Sequence, residues 1–104
     1  GLETHTNHEV AKKQMSGFGG MVSLTLKENT VEAATKVLSA THLFALAESL
    51  GGVESLIGHP ASMTHAAIPK EEREKTGVVD SLIRLSIGIE DADDLVEDLA
   101  KALG

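Results

Sequence analysis

The sequence contains no cysteine, tryptophan or tyrosine, and phenylalanine occurs only twice among its 104 residues. Without cysteine there is no disulfide framework, no thiolate metal site and no cysteine nucleophile. With Phe18 and Phe44 as its only aromatic residues, the chain offers almost nothing on which a nucleotide base could stack. The lack of cysteine also fits a reducing compartment, so we expect a cytoplasmic protein.

Basic residues are scarce as well, with 9 lysines and arginines against 16 aspartates and glutamates, a formal net charge of −7. A surface of this sign repels polyanions, so nucleic acid and acidic lipid are not expected partners. No apolar run approaches the roughly 20 residues that cross a bilayer, and no basic segment followed by an apolar one marks a secretion signal. We therefore expect no membrane partner either.

Apolar residues make up 41% of the chain, which at this length is enough for one modest core. Residues 1–104 are therefore expected to form a single domain, without internal repeats, low-complexity segments or linkers. The sequence begins at Gly1 without an initiator methionine and enters a helix signal almost at once. This start suggests a processed or excised piece of a longer chain.

Two segments alternate apolar and polar residues in the manner of half-buried strands, MVSLTLK at 21–27 and LIRLSIGIE at 82–90. Their alternating apolar positions are Val22, Leu24, Leu26, Ile83, Leu85, Ile87 and Ile89. The segment HLFALAES at 42–49 is apolar on both faces, which predicts a more central strand. VESLI at 53–57 is a candidate for a short further strand.

Four helices are expected between these strands. Thr6 with Glu9 has the form of a capping box, and Asn29, Pro69 and Asp91 are the expected starts of the other three helices. Interleaved strands and helices, with apolar residues on one face of the strands, predict an α+β two-layer sandwich. The other sheet face is expected to carry Ser23, Thr25, Arg84 and Ser86, and its modest polarity suggests that something covers it.

Arg84 is the sharpest candidate for a binding residue, because a strand holds its planar guanidinium in a fixed direction toward a carboxylate or phosphate. The pattern alone favours equally an ordinary arginine that pairs with an aspartate or glutamate of the same chain. The segment AESLGG at 47–52 ends in two glycines whose backbone amides suit close approach to a ligand. A simple tight turn is the more common meaning of such a pair.

Metal and catalytic patterns are weak. His5 and His8 lie three residues apart near Glu9, but a third ligand is missing, and His59 has no better pattern. The acidic cluster at 90–94 lacks EF-hand spacing and suits the first turn of a helix. None of the seven lysines sits in a buried or glycine-rich setting, and no nucleophile–base pair occurs. We expect an anion site, no metal and no catalytic residue.

Three stretches of the chain nevertheless resemble a known family when taken together. They are HEVAKKQMSGFGGMVSLTL at 8–26, LFALAESLGGVESLIGHPASMTH at 43–65 and GVVDSLIRLSIGIEDADDLVEDLAKAL at 77–103. In this order they resemble the carboxy-terminal domain of the Cys/Met-metabolism enzymes dependent on pyridoxal 5′-phosphate (PLP), such as cystathionine γ-synthase and cystathionine γ-lyase. The resemblance implies a small antiparallel β-sheet with helices packed on one face, and a larger domain against which it packs.

The same resemblance implies the roles of four residues. The arginine of LIRLS binds the α-carboxylate of the amino-acid substrate in the family, which carries to Arg84. The serine of ESLGG helps to hold that carboxylate, which carries to Ser49. The preceding glutamate lies at the substrate entrance and influences specificity, which carries to Glu48. Thr64 of MTH matches a position near the substrate.

The family's Schiff-base lysine, stacking tyrosine and pyridine-pairing acid belong to its larger domain. The resemblance therefore implies that these 104 residues are the terminal third or quarter of a longer enzyme and are inactive alone. The implied parent is a PLP-dependent trans-sulfuration enzyme that forms a homotetramer. The implied chemistry is γ-elimination or γ-replacement on cystathionine or activated homoserine, in methionine and cysteine biosynthesis. AESLGG occurs in synthases and lyases alike, while Glu48 is unusual in methionine γ-lyases. The alternative is a stand-alone amino-acid-binding or assembly module that retains the fold.

Overall fold

The computed structural model describes residues 1–104 and contains four helices and four strands. The four strands form a single sheet. The helices are α1 (His8–Gln14), α2 (Val31–Ala40), α3 (Lys70–Lys75) and α4 (Ala92–Leu103), and the strands are β1 (Met21–Leu24), β2 (Ala45–Leu46), β3 (Leu56–Gly58) and β4 (Ile83–Ser86). The strand order is β1-β4-β3-β2. The expected α+β class is confirmed. None of the four helices is long and apolar enough to cross a membrane.

The sheet is mixed and not wholly antiparallel. β4 pairs antiparallel with β1 and with β3, whereas β2 and β3 run parallel. The chain leaves β2 through residues 47–55 and re-enters the sheet at β3 in the same direction, and such a return is what a parallel pair requires. The expectation of an antiparallel sheet therefore holds for two of the three strand pairs.

The segment predicted as a central strand forms the sheet's edge instead. Only two of its residues make up β2, and it has a single neighbour, β3. Its apolar character on both faces comes partly from Leu43 and Leu46, which are exposed, while Phe44 is buried. The central position belongs to β3 and β4, whose residues are nearly all buried.

The core lies between one face of the sheet and the pair α2 and α4. Its buried members are Ala34, Val37, Leu38, Phe44, Ile57, Ile83, Leu85, Leu95 and Ala102. Leu24 and Leu26 pack against this cluster, but Val22 and Ile89, which were expected on the same face, are exposed. Val22 lies on the edge strand β1, and Ile89 lies beyond the end of β4, so the helices cover neither residue.

The helix caps were only partly predicted. Asp91 caps α4 by accepting from the backbone N–H groups of residues 93 and 94, as expected. α2 is capped by Thr30, one residue later than predicted, and the side chain of Asn29 accepts from the N–H of Ser81 instead. α1 has no side-chain cap, so the predicted capping box at Thr6 does not form, and this helix buries no residue.

Asp98 fixes the chain between α2 and β2 to α4. Its carboxylate is only 6% exposed and accepts from the backbone N–H groups of His42 and Leu43 at 2.8 Å each. Burial by itself would raise the pKa of Asp98, but these N–H groups and that of Phe44 outweigh it and hold the pKa below its usual value. The carboxylate therefore stabilises the folded chain in its charged form.

Replacing Asp98 by asparagine is expected to lower the free energy of unfolding by about 2 kcal/mol at pH 7, because an amide offers one acceptor where the carboxylate offers two. The folded-state pKa lies below the unfolded value of about 3.9. The stabilisation is therefore complete above about pH 5 and is lost as the pH falls through 3.9 toward the folded-state pKa. Urea unfolding followed by far-UV circular dichroism at several pH values would measure it, and a difference that stays constant from pH 7 to pH 3 would contradict it.

Candidate functional site

Arg84 lies on β4, on the sheet face away from α2 and α4. Its neighbours in register are Ser23 on β1 and Gly58 on β3. Arg84 is partly buried as a residue, and the Nη2 of its guanidinium donates to the backbone carbonyl of Glu48 at 2.8 Å in an exposed hydrogen bond. No carboxylate of the chain forms an ion pair with it, so the ordinary surface pairing is absent. Its remaining N–H groups are available to an external anion.

Three of the four residues implied by the resemblance line one small, shallow depression on this face. Its lining residues are Ala47, Glu48, Gly58, His59, Pro60, Met63, Thr64 and Arg84. Glu48, Thr64 and Arg84 are thus brought together. Ser49 follows Glu48 on the same loop but is exposed and lies outside the lining.

Gly58 makes the close approach of this loop possible. A Cβ atom at Gly58 would lie 2.8 Å from the backbone carbonyl oxygen of Ala47, closer than real Cβ atoms come to backbone. The absence of a side chain therefore lets the residues after β2 pass over β3 next to Arg84. The sequence pattern of residues 53–57 gave no sign of this requirement.

His59 forms the buried wall of the depression. It is 1% exposed, its Nδ1 lies 2.7 Å from the hydroxyl of Ser62, and its Nε2 lies 2.6 Å from the backbone carbonyl of Asp80. Because a carbonyl only accepts, Nε2 carries a hydrogen and donates it. Both ring nitrogens are therefore occupied, and His59 supports the turn that precedes Thr64.

Asp80, which accepts from His59, is held by two cations of the α3 region. Lys70 and Arg73 contact its carboxylate at 2.9 Å and 2.6 Å. Hydrogen bonds from Lys70 and then from Arg73 keep the pKa of Asp80 below its usual value. The buried guanidinium of Arg73 also donates to the carbonyl of Val78. The sequence pattern indicated none of these contacts, because the partners lie on different elements.

The loop at residues 47–55 is fastened to β4 and to the segment after it. The hydroxyl of Ser86 accepts from the N–H of Gly51 at 2.7 Å. The hydroxyl of Ser55 accepts from the N–H of Gly88 at 2.8 Å. Glu90 accepts from the N–H of Ser55 at 2.9 Å and from its hydroxyl at 2.7 Å. This loop therefore covers the buried Ser86, whereas Ser23 and Thr25 on the same sheet face are exposed, so the expected cover extends over only part of that face.

The chemistry of the depression is that of binding. Arg84 is its only cation, and a guanidinium with free N–H groups suits a carboxylate. No lysine lines it to hold PLP as a Schiff base, and all seven lysines of the chain are exposed. His59 has no free ring nitrogen to act as a base. These residues fit a carboxylate and do not fit the cofactor itself.

The histidines near the amino terminus do not gather a metal-ligand set. Nδ1 of His5 accepts from the N–H of Asn7, and the ring of His8 stacks on Phe18 at 5.6 Å. No group of three or more histidine, aspartate or glutamate side chains is placed to hold a metal ion. These contacts give the two histidines local structural roles.

Comparisons with known proteins give one consistent answer. The family model described as "Cys/Met metabolism PLP-dependent enzyme" matches residues 1–104. A cystathionine beta-lyase of Coxiella burnetii is 59% identical over 103 residues, a cystathionine gamma-lyase of Dictyostelium discoideum 54%, and an L-methionine gamma-lyase of Fusobacterium nucleatum 52%. Each match covers 99% of this chain and 26% of the relative, so the chain spans about a quarter of their length.

Solved structures agree with the sequence relatives. The cystathionine gamma lyase CalE6 of Micromonospora echinospora matches with a TM-score of 0.90 and 47% identity. The metB protein of Corynebacterium glutamicum matches with a TM-score of 0.87 and 51% identity. Each alignment covers 99% of this chain and 26% of the other. The arrangement of helices and strands is therefore that of a part of these larger proteins.

Proposed function

Because this chain belongs to the family of Cys/Met metabolism PLP-dependent enzymes, we propose that residues 1–104 are the carboxy-terminal domain of a larger trans-sulfuration enzyme, the parent enzyme, and that this domain binds the substrate's carboxylate. One observation carries the proposal: Arg84 is partly buried, held by the carbonyl of Glu48, and free of any carboxylate of its own chain. An amino-acid substrate supplies the missing anion.

The four site residues have distinct proposed roles. Arg84 binds the α-carboxylate through its guanidinium fork, and Ser49 adds a hydroxyl from the neighbouring loop. Glu48 lies at the substrate entrance and contributes to specificity. Thr64 lies near the substrate, in the lining of the depression. All four position the substrate, and none of them moves a proton.

The cofactor is proposed to bind in the rest of the parent enzyme, where a lysine would hold PLP. When bound, PLP supplies an electron sink for reactions at the carbons of an amino acid. The isolated domain is then inactive, since its own site offers no lysine. We further propose a homotetrameric parent in the cytoplasm.

The reaction is proposed to be elimination or replacement on cystathionine or an activated homoserine. The names of the relatives add β-elimination to the γ-elimination and γ-replacement expected from the sequence. They also include an L-methionine gamma-lyase, although Glu48 favours the cystathionine branch. All of these candidate reactions belong to sulfur amino-acid metabolism.

Product analysis with the PLP-loaded parent enzyme tests the proposal and separates the reactions. From cystathionine and water, γ-elimination yields cysteine, 2-oxobutyrate and ammonia, and β-elimination yields homocysteine, pyruvate and ammonia. γ-Replacement instead forms cystathionine from activated homoserine and cysteine and releases the activating group with the γ-oxygen of homoserine. We expect one of these product sets. Amino-acid binding without any turnover would support the stand-alone module in its place.

A further inference from the structure

Every second residue of LIRLSIGIE, beginning at Arg84, is bonded to the loop at residues 47–55. Arg84 donates to the loop's first part, at Glu48. Ser86 accepts from its middle, at Gly51. The bonds of residues 88 and 90 both converge on its end, at Ser55. One face of β4 and its extension therefore holds the whole length of this loop.

We propose that Glu90, acting through Ser55, is a positioning residue for the substrate carboxylate. This inference rests on the proposed function, because it concerns the loop that holds Glu48 next to Arg84 and that also carries Ser49. Glu90 touches no substrate. Glu90 fixes the position of the loop's last residue, Ser55. This position determines the path that the loop takes across the sheet between β2 and β3.

The bonds at Ser55 require a carboxylate. Ser55 is fully buried, so water does not replace a lost partner. Its hydroxyl already accepts from the N–H of Gly88, so its own hydrogen has to go to an acceptor, and that acceptor is Oε2 of Glu90. The backbone N–H of Ser55 donates to the other carboxylate oxygen of Glu90, Oε1. The N–H and the hydroxyl of Ser55 are two donors, and they need an acceptor each. A glutamine at position 90 would place an NH₂ group, which is a donor, where one of these acceptors has to be.

The protonation of Glu90 agrees with this assignment. The N–H and then the hydroxyl of Ser55 hold the pKa of Glu90 below its usual value. The N–H of Ile89 donates to the carbonyl of Val53, in the opposite direction, from the segment to the loop. The end of the loop is thus fixed by four hydrogen bonds to residues 88–90, two of which have the charged Glu90 carboxylate as acceptor.

Glu90→Gln in the PLP-loaded parent enzyme tests the inference. We expect kcat/KM for the parent's substrate to fall about tenfold through KM, with kcat nearly unchanged, the size expected for one misdirected charge-assisted hydrogen bond. Two inhibitors locate the effect. The inhibition constant of L-2-aminobutyrate should rise about tenfold, and that of propylamine, the same molecule without its carboxylate, should stay the same. A general structural fault would weaken both or lower kcat.

Two further variants serve as controls. Glu97→Gln makes the same chemical change on the exposed face of α4, where the carboxylate pairs only with Lys101, and should leave both inhibition constants unchanged. Ser55→Ala should reproduce the effect of Glu90→Gln. The double variant should be impaired by less than the product of the two single effects, because both single variants remove the bond between the Ser55 hydroxyl and Glu90.

The outcomes separate this inference from the proposed function. If Arg84→Ala weakens L-2-aminobutyrate selectively but Glu90→Gln and Ser55→Ala do not, the positioning role of Glu90 is wrong and the carboxylate site stands. If both inhibitors weaken equally in Glu90→Gln, the positioning role is also overturned. If even Arg84→Ala leaves L-2-aminobutyrate binding intact, the proposed function fails with it.

Discussion

Replacing Arg84 by alanine in the parent enzyme is expected to lower kcat/KM between a hundredfold and a thousandfold, mainly by raising KM. The guanidinium is the only cation in the depression, and losing one partner of a partly buried, hydrogen-bonded ion pair costs roughly 2–5 kcal/mol. At about 1.4 kcal/mol for each factor of ten, this cost corresponds to a loss of roughly 30-fold to 4,000-fold, and the expected range lies in the middle of it.

The lysine variant shows whether charge or geometry matters more. Arg84→Lys keeps the positive charge but loses the planar fork and its bond to the carbonyl of Glu48, so we expect it to recover only part of the loss. The binding of propylamine, which has no carboxylate, should be unaffected in both variants. Steady-state kinetics and inhibition constants measure all of this, and an unchanged KM in Arg84→Ala would exclude the assignment.

Replacing Gly88 by alanine is expected to lower the free energy of unfolding by about 3 kcal/mol. A Cβ atom at Gly88 would lie 2.3 Å from the carbonyl oxygen of Val53, 2.6 Å from the carbonyl carbon of Glu54 and 2.7 Å from the nitrogen of Ser55. All three atoms are backbone, so no side-chain rotation relieves the contact. The loop at residues 47–55 has to move away from the segment after β4.

Gly17→Ala is the matched control for this prediction. An added Cβ atom at Gly17 meets nothing within 4 Å, and its φ angle is not in the left-handed region. We expect a change within about 0.5 kcal/mol, or a slight gain from the stiffer unfolded chain. The chain has no tryptophan or tyrosine, so urea unfolding is best followed by circular dichroism at 222 nm. Equal stability of the two alanine variants would contradict the close contact at Gly88.

Local sequence patterns predicted the two faces of β4 and the start of α4, because both depend on residues close together in the chain. Strict alternation in LIRLSIGIE correctly placed Ile83 and Leu85 in the core and Arg84 on the opposite face. The aspartate that begins α4 was also correct, since an N-cap depends on neighbours two or three residues away. The roles of Arg84, Glu48 and Thr64 came from resemblance to a family, and the structure brings these three residues together without testing what they bind.

The errors arise where distant segments decide the outcome. The segment containing Leu46 was predicted as central because it is apolar, but strand order is set by pairing and not by composition. The bonds of Ser55 to Gly88 and Glu90 join residues 33 and 35 positions apart, and no local period reveals them. Ser49 is exposed and does not line the depression, and its role in holding the carboxylate stays a prediction.

The two faces of β4 also restrict how this stretch of chain can evolve. Ile83 and Leu85 belong to the core, while Arg84 and Ser86 form hydrogen bonds with the loop at residues 47–55. Because neighbouring side chains point to opposite faces, inserting or deleting a single residue would exchange the two sets and place Arg84 in the core. Changes in length that spare both faces have to come in pairs of residues, and selection for core packing and selection for attachment of the loop act on the same strand at alternate positions.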